Sequence, residues 1–437
     1  MKQSVLILIL SFLLVFSKAD DEPTPFEYVV LSLSRIAIAF VEDLLSTHTP
    51  TPIDAFKTPL EIIMSNGYQA EIHKVKAEDG YINTAYRITG ILGSKETLTA
   101  HKRPPVIFQH GLHDDSTSYF VNEKESVIPF QLVEEGYDVW LTNVRGNIYS
   151  YEHMDIQTHD SKIGNSDYFK FTYDDMAKYD LPSYLDYILD RSEYKKALYV
   201  GHSQGTTIFF AAADITPKLE DKIAAFIGFG PVMYLGNVGN PFITSIANLP
   251  LPEVLKFFQK YNFGVKPNNV DKFSRSSSTY LRKTNARFFQ LMFGIDKDIH
   301  LNLDRIPVLS TFFNGGTSLF NMIHWLQGIR SGEFKMYDYG TPEENIEHYG
   351  QDTPPLYDTD KIQKTLSKIP SLLLLGTADG FVRPKDFEKL MNVLKGAPVE
   401  VVNIEGYNHF DYYNSVDSKE KVVTPVIDFI KKNTKKV

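Results

Sequence analysis

A serine set between two glycines constrains this chain more than any other feature. Residues 201–205 read GHSQG, which places Ser203 at the centre of a G-x-S-x-G motif. The apolar run at 197–200 predicts a buried strand before the motif, and the run at 206–213 predicts a helix after it. In that context the glycines permit a sharp strand-to-helix turn that exposes the serine hydroxyl. The motif therefore predicts a nucleophilic serine at one edge of a sheet.

Short apolar runs recur on both sides of the motif and predict further strands. They lie at residues 106–109, 137–141, 223–229, 371–376 and 399–404. An acidic-glycine turn at 78–80 predicts a hairpin between 70–75 and 81–89. Residues 171–189 predict a helix in which Pro182 marks a kink or a boundary. Strands that alternate with helices predict an α/β fold with a mostly parallel central sheet flanked by helices.

The alternation of strands and helices stops between residues 233 and 350. Apolar, aromatic-rich helical pieces replace it at 242–249, 254–263, 288–293 and 317–328. We interpret this stretch as an inserted helical cap, and its apolar surplus predicts that part of 242–293 is a mobile lid. The predicted core then has two parts, residues 68–232 and 351–437, with the cap and lid at 233–350 between them.

The first residues have the pattern of a signal peptide. Lys2 precedes an apolar run at 5–16, and residues 17–19 form a small-x-small cleavage site. The pattern is expected to direct the protein into the secretory pathway, and removal of residues 1–19 would leave the mature protein in an exported compartment. A short membrane anchor is the alternative, although the run is brief for a span.

Residues 20–67 are predicted to form an N-terminal helical extension. Its apolar segment 28–45 is interrupted by Arg35, Glu42 and Asp43, which argues against a transmembrane helix. We interpret the segment as an amphipathic helix that packs on the body of the protein. Binding to a membrane surface is the alternative.

Charge and cysteine content exclude several function classes. The formal net charge is −9, and such an acidic balance lacks the basic footprint of nucleic-acid binding. The chain contains no cysteine, so thiol catalysis and thiolate metal sites are excluded.

Two later residues complete a catalytic set with Ser203. A serine hydroxyl attacks only when a base accepts its proton and an acid orients that base. Asp379 follows the predicted strand 371–376 and His409 follows the strand 399–404, in the order serine, acid, histidine. Because ligands gather at the carboxyl ends of sheet strands, we expect the three side chains to lie together. The alternatives are a turn-capping role for Asp379 and a structural loop role for His409.

The negative charge that develops on a substrate carbonyl needs two N–H donors. One is expected to be the backbone N–H of Gln204, which follows the nucleophile, and the other the N–H of Leu112, after strand 106–109. The same loop contains four residues that resemble a metal cluster, namely His110, His113, Asp114 and Asp115. Their position in the loop after strand 106–109 accounts for these residues better than metal binding does, since no distant further ligand is evident. No metal and no cofactor is therefore predicted.

Other polar residues are interpreted as structural. Three further aspartates follow no strong strand directly and are weaker candidates for the acid: Asp358, Asp386 and Asp411. His202 in the motif is interpreted as a packing or polarity residue. In the cap, His324 and Trp325 are interpreted as a buried structural pair.

Together these motifs resemble the acid lipase family of α/β-hydrolases, which includes gastric, lingual and lysosomal acid lipases. The resemblance covers nearly the whole mature chain and rests on QHGL at 109–112, GYDVWL at 136–141, NVRGN at 143–147, DMAKYDLP at 175–182, GHSQGTT at 201–207 and YNHFD at 407–411. It implies an α/β-hydrolase fold with an inserted helical cap and a mobile lid. It places the nucleophile, acid and base on Ser203, Asp379 and His409, and the oxyanion donors on Leu112 and Gln204.

The resemblance also implies an activity. The chain is expected to hydrolyse neutral lipid esters, triacylglycerols or sterol esters, at a lipid–water interface through an acyl-enzyme. A soluble carboxylesterase acting on small esters and a non-enzymatic lipid-binding protein on a hydrolase scaffold are the alternatives. Neither a nucleic acid nor an obligate protein partner is inferred. The chain departs from the family at 113–115, where His-Asp-Asp replaces a more apolar run.

Overall fold

The computed structural model describes residues 25–46, 50–156, 167–248, 262–263, 280–296, 298–312 and 315–434. The predicted signal peptide at 1–19 lies outside the described residues, and so do 249–261 and 264–279, which make up much of the predicted lid. No described helix has the length and apolar character that a membrane span requires.

The described strands are β1 (Tyr68–Lys76), β2 (Tyr81–Ile91), β3 (Pro105–Gln109), β4 (Asp138–Thr142), β5 (Glu152–His153), β6 (Ala197–His202), β7 (Ile223–Phe229), β8 (Asn262–Phe263), β9 (Thr317–Ser318), β10 (Ser371–Gly376) and β11 (Val399–Ile404). The main described helices are α1 (Pro25–Leu45), α2 (Pro59–Ser65), α3 (Ile128–Glu134), α4 (Tyr173–Asp175), α5 (Leu181–Leu189), α6 (Gln204–Ile215), α7 (Pro241–Ala247), α8 (Arg282–Phe293), α9 (Ile306–Phe312), α10 (Leu319–Ser331), α11 (Pro342–Tyr349), α12 (Thr359–Leu366), α13 (Pro384–Val393), α14 (Asp411–Asn414) and α15 (Thr424–Asn433).

One nine-stranded sheet organises the fold. Its strand order is β1-β2-β4-β3-β6-β7-β10-β11, with the short β5 paired beside β2. The hairpin strands β1 and β2 are antiparallel, as is the pair of β2 with β4. Every later pair along this order is parallel. Parallel neighbours need crossover connections, and the intervening helices supply them. The predicted hairpin and the mostly parallel sheet are therefore confirmed.

Helices bury both faces of this sheet. Along β3, Ile107 points into one apolar core, while Val106 and Phe108 belong to the other. Residues of α5, α6, α12 and α13 complete the first core, and residues of α3 and α15 complete the second. A strand buried on both faces must be apolar at every position. This requirement explains why the central strands read as continuous apolar runs.

The helix predicted at 171–189 runs from Tyr173 to Leu189 and contains a π-helical turn, Met176–Asp180, just before Pro182. The backbone stays helical across this turn, since Asp180 and Leu181 both have α-helical angles and the Leu181 N–H bonds to the Met176 carbonyl five residues back. Pro182 has no N–H to donate, and the wider π turn accommodates it inside the helix. The proline therefore coincides with an irregular turn and does not end the helix.

The predicted cap segment 233–350 holds α7 to α11 among its described residues, together with a short ribbon. β8 pairs antiparallel with β9. The expectation of helix across 254–263 and 317–328 is therefore wrong at residues 262–263 and 317–318, which form these two strands. Thr317 is β-branched, and the Ser318 side chain accepts the N–H of Asn321 to cap α10, which favours an extended backbone before the helix. The boundaries at 233 and 350 stay a prediction.

The N-terminal helix α1 packs against α8 and binds both of its ends. At the first turn of α8, Asp43 accepts the N–H groups of Lys283 (3.2 Å) and Thr284 (2.9 Å). At the last turn, the Tyr28 hydroxyl donates to the carbonyl of Leu291 at 3.0 Å. These bonds satisfy helix-end groups that have no intrahelical partner. The segment is thus a helix packed on the protein, as the sequence predicts.

A buried arginine joins three loops beside the sheet. Arg145, which follows β4, lies 2.6 Å from a carboxylate oxygen of Asp79 in the hairpin turn and 2.7 Å from Asp180 before α5. Its guanidinium also lies over the ring of Tyr81, 4.0 Å from the centroid. A buried charge is tolerated only when it is paired and hydrogen-bonded. Arg145 therefore fixes how the hairpin, the β4 loop and α5 meet.

We expect Arg145→Met to destabilise the protein strongly, because it leaves two carboxylates without their counter-charge. Removal of one partner from a buried ion pair costs about 3–5 kcal/mol in the free energy of unfolding. Lys74→Met, which breaks the exposed Lys74–Glu152 pair, is the control and should cost less than about 1 kcal/mol. Urea denaturation followed by circular dichroism measures both. Equal costs for the two variants would contradict the role given to Arg145.

Candidate active site

Ser203 stands at the sharp turn between β6 and α6. Its backbone has φ 51° and ψ −117°, a positive-φ conformation that residues other than glycine rarely adopt. A Cβ on Gly201 would lie 2.8 Å from the carbonyl carbon of Gly205. A Cβ on Gly205 would lie 2.5 Å from the carbonyl oxygen of Gln109. Only glycine fits at these two positions, so the motif creates the space in which the strained serine turn can form.

The structure brings the three predicted side chains together in one hydrogen-bonded chain. His409 Nε2 lies 2.7 Å from Ser203 Oγ, and His409 Nδ1 lies 2.8 Å from Asp379 Oδ2. All three residues are buried, and Ser203 retains 6% of its surface exposure. Because an ionised carboxylate can only accept, His409 Nδ1 carries the shared proton and Nε2 is left to accept one from the serine.

Several donors hold the Asp379 carboxylate behind the histidine. Oδ1 accepts the backbone N–H groups of Phe381 (2.8 Å) and Val382 (3.0 Å), while Oδ2 faces His409. Burial alone would raise the pKa of the Asp379 carboxyl. The charge of His409 and these hydrogen bonds outweigh burial and leave the pKa below its ordinary value. Asp379 is therefore an anchored carboxylate that orients the imidazole.

The two predicted oxyanion donors lie beside the nucleophile. A Cβ on Gly111 would lie 3.2 Å from Ser203 Cβ, so the loop that contains Leu112 passes directly next to the serine. Gln204 is the first residue of α6, and the first N–H groups of a helix have no intrahelical acceptor. The positive end of the helix dipole adds to their attraction for an anion.

The side chain of Gln204 connects the serine turn to helix α10. Its Oε1 accepts Trp325 Nε1–H at 2.7 Å and Asn321 Nδ2–H at 2.8 Å. Its Nε2 lies 3.5 Å from the sulfur of Met176. Trp325, interpreted from the sequence as structural, therefore contacts the residue that follows the nucleophile. The Gln204 side chain therefore joins α10 to the turn that holds the serine.

The residues that resembled a metal cluster have other partners. His110 Nδ1 donates to the carbonyl of Gly111 at 2.8 Å, and its Nε2 accepts the Val144 N–H at 3.3 Å. Burial lowers the pKa of His110 to about 4. Asp115 caps a helical turn by accepting the Thr117 N–H at 2.7 Å. Across the part of the chain that the structure describes, no three histidine or acidic side chains are arranged to hold a metal ion.

The three weaker acid candidates are engaged elsewhere. Asp358 caps the first turn of α12. Asp386 accepts the Asn237 N–H at 2.8 Å, and Asp411 accepts the Asn408 N–H at 2.6 Å. Each carboxylate has a local structural partner, which leaves Asp379 as the acid bonded to His409.

Sequence reasoning missed two contacts behind the acid–base pair. The Tyr412 hydroxyl lies 3.2 Å from Asp379 Oδ2 and accepts the Gly376 N–H at 2.9 Å. Gly230 has φ 51°, and a Cβ there would lie 3.0 Å from the His409 ring. A Gly-Pro pair at the end of a strand is a signal for such a close approach. No motif or residue spacing in the sequence indicates that Tyr412 lies beside the acid.

The arrangement contains the groups that acyl transfer requires. A buried imidazole can take the proton of a hydroxyl, an anchored carboxylate can stabilise the resulting cation, and two backbone N–H groups can bind an oxyanion. These steps need no cofactor.

Comparison with known proteins places the chain in a family. Residues 104–416 match the family model described as the alpha/beta hydrolase fold, and residues 60–123 match the partial alpha/beta-hydrolase lipase region. The chain is 34% identical to gastric triacylglycerol lipase of Bos taurus over 374 residues, which is 84% of this chain and 90% of the relative. It is 33% identical to lipase member K of Homo sapiens over 84% of this chain and 89% of the relative.

A third relative and one solved structure agree. The chain is 32% identical to a protein of Crotalus adamanteus assigned as a lysosomal acid lipase/cholesteryl ester hydrolase, over 85% of this chain and 90% of the relative. A crystal structure from Sulfolobus solfataricus, assigned as a lipase, superposes with a TM-score of 0.50 at 13% identity, covering 84% of this chain and 95% of the other. At that identity the superposition shows the fold alone. With the model match and the relatives above, the chain belongs to the acid lipase family of α/β-hydrolases, among homologues of the gastric and lysosomal lipases.

Proposed function

We propose that the protein is a serine lipase that hydrolyses the carboxylic ester bonds of neutral lipids, triacylglycerols or sterol esters. The observation that carries the proposal is the unbroken hydrogen-bonded chain from Ser203 through His409 to Asp379. The names of the relatives support the substrate class, since the bovine relative is a triacylglycerol lipase and the Crotalus relative is assigned as a cholesteryl ester hydrolase.

The first half of the reaction forms an acyl-enzyme. His409 Nε2 accepts the hydroxyl proton as Ser203 Oγ attacks the ester carbonyl. The resulting imidazolium is held by Asp379 through Nδ1, and the N–H groups of Leu112 and Gln204 bind the oxyanion. Collapse of the tetrahedral intermediate breaks the ester C–O bond, and His409 gives its proton to the leaving alcohol.

The second half uses water in place of the serine. His409 takes a proton from a water molecule, which attacks the acyl carbonyl, and the same N–H groups bind the second oxyanion. The proton then returns to Ser203 Oγ as the fatty acid leaves. The enzyme is regenerated without a metal or a cofactor.

Exposed apolar side chains on α1 support action at a lipid–water interface. Val29, Leu33, Phe40 and Leu44 are exposed and recur at spacings that place them on one side of this helix. The helix is bound to α8, whose final residue Phe293 contacts the ring of Phe410 in the His409 loop, with centroids 4.4 Å apart. A contiguous exposed apolar patch is typical of an interaction surface. We infer that this face contacts lipid near the site.

We propose a location in the secretory pathway, either secreted or in a lysosome-like compartment. Relatives named as gastric and lysosomal lipases support it, together with the signal-peptide pattern of the sequence.

A small-ester carboxylesterase and a non-enzymatic lipid-binding protein are the alternatives. Rates on triolein, cholesteryl oleate and soluble tributyrin separate them. A lipase prefers emulsified long-chain esters and turns over faster once an interface forms. An esterase hydrolyses only the soluble substrate, and a binding protein hydrolyses none.

We expect Ser203→Ala to lower kcat on tributyrin by on the order of 10⁴ or more, because the nucleophile is lost. Asp379→Asn should cost on the order of 10³ to 10⁴, since the amide presents the wrong partner to His409. The matched control is Asp386→Asn, a buried aspartate outside the site, which should keep wild-type kcat. If Asp379→Asn and Asp386→Asn lose the same small amount, Asp379 is not the catalytic acid.

We expect Leu33→Glu to weaken binding to phosphatidylcholine vesicles by about tenfold or more, because insertion of the helix would bury a charge in lipid. The rate on soluble tributyrin should stay unchanged. Ile72→Glu on β1 is the control, since Ile72 (51% exposed) and Leu33 (56% exposed) are similarly accessible. Vesicle flotation measures binding. Similar losses for both variants would show that α1 is not the lipid-binding face.

A further inference from the structure

A chain of buried polar groups runs from the oxyanion loop to the backbone of the catalytic histidine. His202 Nε2 lies 2.8 Å from the carbonyl oxygen of His409. His202 Nδ1 lies 3.2 Å from the hydroxyl oxygen of Tyr413, which in turn lies 3.4 Å from Asp114 Oδ2. All four residues are buried. Of these four residues, only His409 takes part in the reaction steps described above, and it does so through its side chain.

Part of the proton arrangement in this chain follows from its acceptors. A carbonyl only accepts, so His202 Nε2 must carry hydrogen and donate to His409. Burial lowers the pKa of His202 to about 3, so the ring is neutral and its Nδ1 accepts. The Tyr413 hydroxyl has one proton for two acceptors, His202 Nδ1 at 3.2 Å and Asp114 Oδ2 at 3.4 Å. An ionised Asp114 takes that proton, whereas a neutral Asp114 donates from Oδ2 to the Tyr413 oxygen and leaves the Tyr413 hydroxyl to donate to His202.

The surroundings of Asp114 agree with a neutral carboxylic acid. Its Oδ1 accepts the N–H of Asp115 at 2.9 Å and the hydroxyl of Ser118. The other oxygen, Oδ2, is the one that faces Tyr413, and hydrogen bonds from Ser118, Asp115 and Gly111 offset only part of the effect of burial on the Asp114 pKa. Burial, followed by the nearby charge of Asp115, raises the pKa of Asp114 to about 8. The other titratable groups that face it are the hydroxyls of Tyr119 and Tyr413.

Asp114 also lies where the loop cannot shift easily. A Cβ on Gly315 would lie 2.3 Å from the Asp114 carbonyl oxygen, so the segment before β9 packs tightly on this backbone. Leu112, the proposed oxyanion donor, precedes Asp114 by two residues. The carboxyl group thus joins the oxyanion loop on one side to the histidine loop on the other.

We propose that Asp114 is a positioning residue that acts through Tyr413 and His202 to hold the main chain of His409 in register with the oxyanion loop. The inference rests on the proposed function, because it assigns a task within the same ester-hydrolysing site. When Asp114 ionises, its carboxylate accepts the Tyr413 hydroxyl proton. His202 Nδ1 then loses its donor, and a negative charge forms two residues after Leu112 in the oxyanion loop, where it opposes the charge that develops in the reaction.

Asp114→Asn is the sharpest variant, because its amide Oδ1 can accept the same two donors while Nδ2–H donates to Tyr413 at every pH. We expect the wild type to lose kcat on tributyrin up to about tenfold between pH 7 and pH 9, since roughly a tenth of a group with a pKa near 8 stays neutral at pH 9. Asp114→Asn should retain wild-type kcat at pH 6.5 and lack this loss. Asp386→Asn should follow the wild-type profile.

Tyr413→Phe removes the link itself. We expect it to lower kcat by about tenfold with little change in KM. In protein that carries Tyr413→Phe, the further change Asp114→Asn should no longer alter kcat at pH 9. Tyr137→Phe, which removes a hydroxyl bonded to Thr434 at 2.6 Å far along the chain, is the matched control and should leave kcat unchanged.

A stability measurement tests the neutral acid without reference to activity. An unfolded aspartic acid ionises near pH 4, so a group that is neutral up to pH 8 when folded makes folding take up a proton between these values. The melting temperature of Asp114→Asn relative to the wild type should therefore rise from pH 5 to pH 8 and then level off. A constant difference across this range would overturn the neutral state.

The two proposals fail differently. If the wild type hydrolyses esters but Asp114→Asn and the wild type share one pH profile, the positioning role is overturned and the proposed function stands. If no ester is hydrolysed by the wild type at any pH, the proposed function is overturned and the positioning role falls with it.

Discussion

The fold depends on a close contact between two glycines and a strand end. Ser203 occupies a positive-φ conformation that costs free energy for a residue with a side chain. The turn persists because Gly201 packs on the backbone of Gly205, and Gly205 packs on the carbonyl of Gln109 at the end of β3. A packed sheet thus holds a strained residue in place, and the strain directs a hydroxyl toward the histidine and not into the core.

The parallel sheet explains why distant segments meet beside this contact. The end of β3 leads into the oxyanion loop, the end of β10 into the Asp379 turn and the end of β11 into the His409 loop. Parallel strands bring these ends to one edge. Elements from outside the sheet then contact that edge: Trp325 of α10 binds the Gln204 side chain, and Phe293 at the end of α8 accepts the N–H of Gly380 at 2.9 Å. Both helices are therefore joined to the site by defined hydrogen bonds.

Much of the sheet and of the candidate site could be predicted because local patterns determine them. Doubly buried strands must be apolar throughout, a serine turn of this shape needs glycine on both sides, and Asp379 and His409 follow strands directly. The remainder depends on contacts between residues far apart in sequence. No local pattern indicates that Tyr412 faces Asp379, that Asp43 caps α8 or that Tyr413 joins Asp114 to His202. The ribbon of β8 and β9 escaped prediction because each strand has two residues, too few for a period to register.

The central claim is that Ser203 is the nucleophile of an ester hydrolase, and covalent labelling tests it most directly. The purified protein is treated with a fluorophosphonate and digested, and the modified residue is located by mass spectrometry while tributyrin hydrolysis is followed in parallel. The account predicts a single phosphonylated residue, Ser203, with activity lost in proportion to labelling. Label on a different residue, or full hydrolysis by protein that is completely labelled at Ser203, would contradict it.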